Sequence, residues 1–221
     1  MAARPRRPGA PKKTLEEHVQ CQGEFLEGEL KPRLEEAKQG KRHVFFVDAS
    51  HFVYGTFLCR LWSFVRLYVR AASGRQRFNV LGATNAATKE LIAVSNTTVV
   101  NTETMCELLR KIAAQGLAGP VTLVLDNARY QHNEAVKALA KSLNIELLFL
   151  PGYSPNLNLI ERLWRFIKRE ALYGRYHANF ADFKAAIEEV IAQMPSKHKD
   201  RLASLLTLNF QVFDNVSLLA A

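Results

Sequence analysis

The chain has 221 residues, 48% hydrophobic and 23% charged, with 11 Gly, 8 Pro and 3 Cys. That length holds one substantial core and not two full-sized domains, and no apolar run approaches the roughly 18 residues of a membrane span, so collagen-like, disordered and membrane classes drop out. Cys21, Cys59 and Cys106 are odd in number and far apart, which argues against a disulfide framework or a zinc ribbon. The basic opening MAARPRRPGAPKK runs into TLEEHVQ rather than into an apolar stretch, so it does not read as a secretory signal, and the expected setting is a reducing cytoplasm with no membrane partner.

Charge separates the chain into three parts. Lys and Arg number 30 against 21 Asp and Glu, a net +9. Residues 1–13 carry five bases and no acid, residues 14–40 three bases and seven acids, and the rest 22 bases and 14 acids. A core that is itself +8 suits a polyanionic partner, with nucleic acid the natural candidate.

In chain order, residues 1–13 read as a disordered basic tail, and residues 14–40 as a helical linker of one or two helices broken near Pro32, with Thr14 and Glu17 spaced as a capping box. The four apolar residues Val44–Val47 predict a strand buried on both faces that ends at Asp48. Residues 61–70, 76–84 and 90–95 read as further strands. A helix over 102–115 is stopped by Gly116 to Pro120. The strand 121–125 ends at Asp126, a helix over about 132–143 follows, and then the strand 145–150, giving a strand–helix–strand unit. The loop PGYSPNLN leads into helices over 159–172 and about 179–193, with 196–221 as a C-terminal extension. Residues 41–195 form the expected catalytic domain, an α/β fold with a mixed five-stranded sheet drawn from these six segments, three antiparallel strands followed by two parallel ones, flanked by helices.

Two buried strands each finishing in aspartate carry the functional argument, because ligands of open α/β sheets sit beyond the carboxyl ends of strands. Asp48 and Asp126 thus converge on one edge. A third carboxylate, Glu161, follows Asp126 by 35 positions near the start of a helix. Three such carboxylates suit hard divalent cations, and no His or Cys cluster competes. Asn158 and Glu161 also fit the N-cap and N3 positions of a capping box, so capping and metal binding compete for Glu161. Arg165, Lys168 and Arg169 fall on about the same helical face as Glu161 and suit a phosphodiester backbone. Asn127 either orients a metal-bound water or makes the turn after Asp126, and His51 and His132 read as hydrogen-bonding neighbours rather than ligands. Trp62 and Trp164 fall in apolar patterns and read as core.

The segments LLFLPGYSPNLNLIERLWRFIK (147–168), LVLDNARYQH (123–132) and FFVDASHFVYG (45–55) together resemble the catalytic domain of mariner-like DDE transposases of the bacterial insertion-sequence branch. The resemblance spans roughly residues 40–195. It implies a ribonuclease H-like fold in which Asp48, Asp126 and Glu161 bind two Mg²⁺ ions, Mn²⁺ being able to substitute, to cut and rejoin DNA. The chain departs from the family where prolines are usual and Gly152 and Leu159 stand, and where an acidic residue often follows the first aspartate. Complete members carry paired helix-turn-helix modules upstream that some 40 residues cannot hold. The chain is therefore expected to be the catalytic half, as the second reading frame of a frameshifted element, a truncated relic or a fragment, working on DNA as a homodimer or higher assembly and, in the first case, with a separate helix-turn-helix chain. A plain nuclease of the same fold shares the carboxylates, and a catalytically silent DNA-binding regulator is the alternative outside enzymes.

Overall fold

The computed structural model describes residues 15–55 and 73–210. The strand expected over 61–70, the cap at Thr14, Cys59 and Trp62 lie outside them. The helices are α1 (Leu15–Phe25), α2 (Lys31–Lys38), α3 (Thr102–Ala113), α4 (Glu134–Ser142), α5 (Ile160–Ala171), α6 (Phe180–Ala192) and α7 (Lys199–Leu205), and the strands are β1 (His43–Gly55), β2 (Ser73–Asn85), β3 (Leu91–Asn96), β4 (Val121–Leu125) and β5 (Ile145–Phe149). The five strands form one sheet in the order β3-β2-β1-β4-β5. β3, β2 and β1 run antiparallel, and β1, β4 and β5 parallel. This is the mixed α/β sheet of the ribonuclease H-like fold that the sequence predicts.

β1 is the central strand, and its burial explains its sequence. Val44 to Val47 are all buried, because β1 lies between β2 and β4 over this stretch and helices cover both faces. Pairing with β4 ends at Phe46–Val124, whereas pairing with β2 continues to the end of the strand. Past that level the strand alternates: Phe52 and Tyr54 are buried, His51 and Val53 exposed, the period of two expected of a half-covered strand. Asp48 stands at the change of environment.

The sheet divides the interior into two cores. On one face Val44, Phe46, Phe52, Phe78, Val80 and Val124 pack with α5, α6 and Leu26, Leu30 and Leu34 of the N-terminal helices. On the other, Phe45, Val47, Leu81, Ala83, Leu123 and Leu125 pack with α3 and α4. α3 starts cleanly because Asn101 Oδ1 accepts from the Thr104 N–H (3.0 Å), an N-cap bond that satisfies one of the first-turn donors.

The expected break near Pro32 takes another form. Residues Leu26–Leu30 form a π-turn between α1 and α2, the Lys31 N–H reaches back five residues to the Leu26 carbonyl, and Pro32 is the second residue of α2. A proline lacks the N–H that would bond the carbonyl four residues before it and its ring crowds that carbonyl, so the widened turn upstream absorbs the misfit and the chain stays helical. Leu26, Leu30 and Leu34 remain buried on one side across the junction.

Candidate active site

Asp48 and Asp126 reach the same edge of the sheet by parallel pairing. Phe46 faces Val124 across β1 and β4, so two residues further along each strand the two aspartates come level. Glu161 is the second residue of α5, on the helix that packs over the Asp48 face of β1. Asp48 interacts electrostatically with each of the other two. Burial, then Glu161, then Asp126 push the Asp48 carboxyl up to about 7, against the pull of the Ala49 backbone N–H and the Trp164 side chain. A partly dry setting and two neighbouring carboxyls disfavour the charge on Asp48, and a cation is the group that relieves this.

Each aspartate has a neutral donor. Asp126 Oδ1 accepts from Gln131 Nε2 (2.7 Å), and Asp48 Oδ2 accepts from Trp164 Nε1 (2.9 Å). Gln131 is fully buried and its Oε1 also takes the Ala128 N–H (3.0 Å), so the turn after β4 is built around it. Among the described residues no three His, Cys, Asp or Glu side chains close on one point as a finished ligand set. The donor chemistry nevertheless fits a hard cation: the three groups are carboxylates, and beside them the buried Asn158 Oδ1 has no hydrogen-bond partner.

Asn158 corrects the capping reading. The residue preceding α5 is Leu159, in helical conformation, with no side-chain cap. Asn158 Nδ2 instead donates to the Val47 carbonyl (3.3 Å), the peptide just before Asp48. Its side chain thus ties the start of α5 to β1, and Glu161 is left without a capping role. Glu170, the other acid of α5, is engaged by Arg201 (2.8 and 3.1 Å) and is not among the acids that act on Asp48.

The remaining expected residues divide in two. Asn127 adopts φ +70 and donates from Nδ2 to the Leu150 carbonyl, so it shapes the turn and links the ends of β4 and β5. His132 Nε2 donates to Asn127 Oδ1 (3.2 Å) while its ring stacks on Phe149 (centroids 4.1 Å apart). His51 is exposed and donates from Nδ1 to Asn79 Oδ1 (2.7 Å), a bond within the β1–β2 pair. On α5, Arg165 and Arg169 are exposed, and Lys168 is half-buried with its ammonium 5.8 Å from the Phe52 ring centre. Among the described residues no ion pair holds Arg165 or Lys168, whereas Arg169 approaches Glu170 (3.5 Å).

Three features escape the sequence. The Tyr130 phenol is held well above its ordinary range by burial, then by Asp126 and Asp48, which keeps a neutral hydroxyl within electrostatic reach of both aspartates. Trp164, although it belongs to the core, is bonded to Asp48. The loop after β5 is braced by α1: the Tyr153 carbonyl accepts from Gln22 Nε2 (3.4 Å) and stands 3.2 Å from His18 Nε2, and Gln22 Oε1 accepts from Asn156 Nδ2 (3.0 Å). Tyr153 itself has φ +55 and a side chain 95% exposed at the same sheet edge. The usable signal was polarity: Gln22 and Gln131 are long amides in otherwise patterned segments, and a buried amide needs partners.

A ribonuclease H-like sheet, with Asp48 inside β1 and Asp126 just past β4 at the level where the pairing of these two strands stops, defines the class of fold. The model of one family, described as DDE superfamily endonuclease, matches residues 43–184. The chain belongs to that family. Among solved structures the fold is similar to the Mos1 strand transfer complex (16% identity, 95% of this chain and 68% of that one, TM-score 0.62) and to the Mos1 mariner paired end complex with Mn (16%, 95% and 68%, TM-score 0.60). It is also similar to the Mos1 transposase catalytic domain with raltegravir and Mg (15%, 90% and 100%, TM-score 0.56). No curated protein matches the chain.

Proposed function

We propose that this chain is the catalytic body of a DNA transposase that cuts and rejoins phosphodiester bonds. The observation that carries the reading is the electrostatic coupling of Asp48 to both Glu161 and Asp126 in a chain of the DDE superfamily endonuclease family. In this reading the three carboxylates hold divalent cations, Mg²⁺ or Mn²⁺, as a pair. Such ions supply Lewis-acid charge stabilisation and a more acidic bound water. The protein's own part is to orient. Gln131 fixes the Asp126 carboxylate, Asn158 fixes the start of α5 relative to β1, and the neutral Tyr130 hydroxyl offers a hydrogen bond near the scissile phosphate. Arg165, Lys168 and Arg169 provide positive charge along the helix that carries Glu161, where a phosphate backbone would lie.

The finer reading is an insertion-sequence enzyme acting on element ends and target DNA as a homodimer or larger assembly, in a bacterial cytoplasm, with end recognition from a helix-turn-helix module. It rests on the Tyr153-Ser154-Pro155 to Ile160-Glu161 segment. The test is cleavage and joining of a duplex carrying the inverted repeats that flank the gene, with a recognition chain supplied. Cutting in Mg²⁺ or Mn²⁺, none in chelator, and loss in Asp48→Asn and Glu161→Gln are expected. Full activity in chelator contradicts the proposal, and metal-dependent cutting without joining would leave a nuclease of the same family.

A further inference from the structure

We propose that Trp164 is a positioning residue of the metal site, and that Gly82 exists to let it act. The inference rests on the metal-site reading above and extends it to two residues that no sequence pattern connects with chemistry. Trp164 is 2% exposed and packs in the core, edge-on to Phe52 (centroids 6.3 Å apart, planes at 84°). A buried indole N–H needs an acceptor, and burying it without one is costly. Backbone carbonyls usually fill that need. Here the acceptor is a carboxylate oxygen of Asp48, 2.9 Å away.

The arrangement follows from three placements. On α5, Glu161 and Trp164 are three residues apart and so share one face of the helix; the same face therefore delivers an acid and a donor to Asp48. On β1, Asp48 and Phe52 are four residues apart and point to the same side of the sheet, so the ring that packs on Phe52 extends toward Asp48. On β2, the residue opposite Asp48 is Gly82. A Cβ there would lie 2.8 Å from one indole carbon of Trp164, 3.0 Å from a second and 2.8 Å from Leu91 Cδ1. A bare backbone at this one register position gives the six-membered ring its seat.

A donor fixed at Oδ2 stops the Asp48 carboxylate from rotating and keeps that oxygen engaged toward the core. Hydrogen bonds of this kind hold a metal-binding side chain in the orientation that ligation requires, and their loss typically weakens metal affinity about 10–100-fold. The indole also satisfies the carboxylate without adding a charge. A Lys or Arg in its place would compete with the cation for the same anion.

The experiment is a Mn²⁺ titration of the full chain followed by electron paramagnetic resonance of the free ion, with thermal melts on the same preparations. Trp164→Phe keeps an aromatic ring against Phe52 and removes the N–H. Gly82→Ala keeps the N–H and displaces the ring. Phe52→Leu is the packing control, since it removes the ring contact and leaves the Asp48 bond. Both Trp164→Phe and Gly82→Ala are expected to weaken Mn²⁺ binding about 10–100-fold, while Phe52→Leu lowers the melting temperature with affinity retained. Wild-type affinity in Trp164→Phe, or a loss in Phe52→Leu equal to that in Trp164→Phe, would overturn the role of Trp164 and leave the metal site standing. If the wild type takes up no Mn²⁺, the metal-site reading itself fails, and the inference fails with it.

Discussion

Asp48 is the residue at which the local physics is most exposed to test. Its carboxyl is pushed up to about 7 in the folded chain, against an ordinary value near 4 in an unfolded one. The folded state therefore holds this proton more tightly, so the contribution is fully present below about pH 4 and is lost as the pH rises through 7, at no more than about 1.4 kcal/mol per pH unit. Thermal melts of the metal-free chain from pH 5 to 8 are expected to fall, and Asp48→Asn to flatten that slope. Mg²⁺ at pH 8 should raise the wild-type midpoint and leave Asp48→Asn unmoved; an identical pH slope in the two proteins would contradict the assignment. Glu161→Gln should keep metal-free stability at pH 8 at or slightly above wild type, because it removes a like charge from Asp48 and breaks no cap, while abolishing the response to Mg²⁺. Asp48 and Asp126 were legible as candidates in the sequence because each follows a run that only a buried strand explains, and Glu161 through its spacing from Asp126 on the next helix. The roles of Asn158 and Trp164 were not, since the bonds that define them join residues 111 and 116 positions apart and the local patterns, a cap and an apolar stripe, point elsewhere.

At the scale of elements, α5 joins the core to the candidate chemistry. Ile160, Leu163, Trp164, Phe166 and Ile167 bury one side, which leaves Arg165 and Arg169 facing solvent. Replacing both with Ala should weaken DNA binding and flatten the salt dependence of the association constant, by about one to two in log–log slope if each meets a phosphate. An unchanged slope would place the DNA elsewhere. The helical linker proves to be more than a connector, since Gln22 of α1 is 3% exposed and bonded to the loop that precedes Glu161. Gln22→Ala removes the bonds from Gln22 to Asn156 Nδ2 and to the Tyr153 carbonyl, and is expected to cost about 0.5–1.5 kcal/mol by denaturant melts. Helical spacing foretold α1 and α2, but no period in the sequence could show that they close over residues some 130 positions later. The π-turn likewise follows from a balance between Pro32 and the buried leucines.

For the whole molecule, the sheet order and the two cores follow from strand composition. Runs buried on both faces, VFFV in β1 and TLVL in β4, occupy the middle of the sheet, while β3, with a mixed pattern, lies at an edge. A second anchor sits within the body: Glu146 of β5 accepts from Arg33 of α2 (2.6 Å) and from Arg42 (2.8 Å), and Thr122 of β4 donates to it (2.6 Å). This network fixes the N-terminal helices to the sheet, and through Gln22 α1 in turn braces the active-site loop. Its acid is partly solvated, so its worth is that of a screened pair, about 1 kcal/mol. The central claim is that β1, β4 and α5 are assembled so that Asp48, Asp126 and Glu161 serve one metal centre. The direct measurement is diffraction at the manganese absorption edge from crystals of the full chain soaked in Mn²⁺. The account predicts anomalous peaks bounded by the oxygens of these three side chains, and their loss in Asp48→Asn crystals. Well-ordered carboxylates with no peak between them, or peaks bound elsewhere on the molecule, would contradict it.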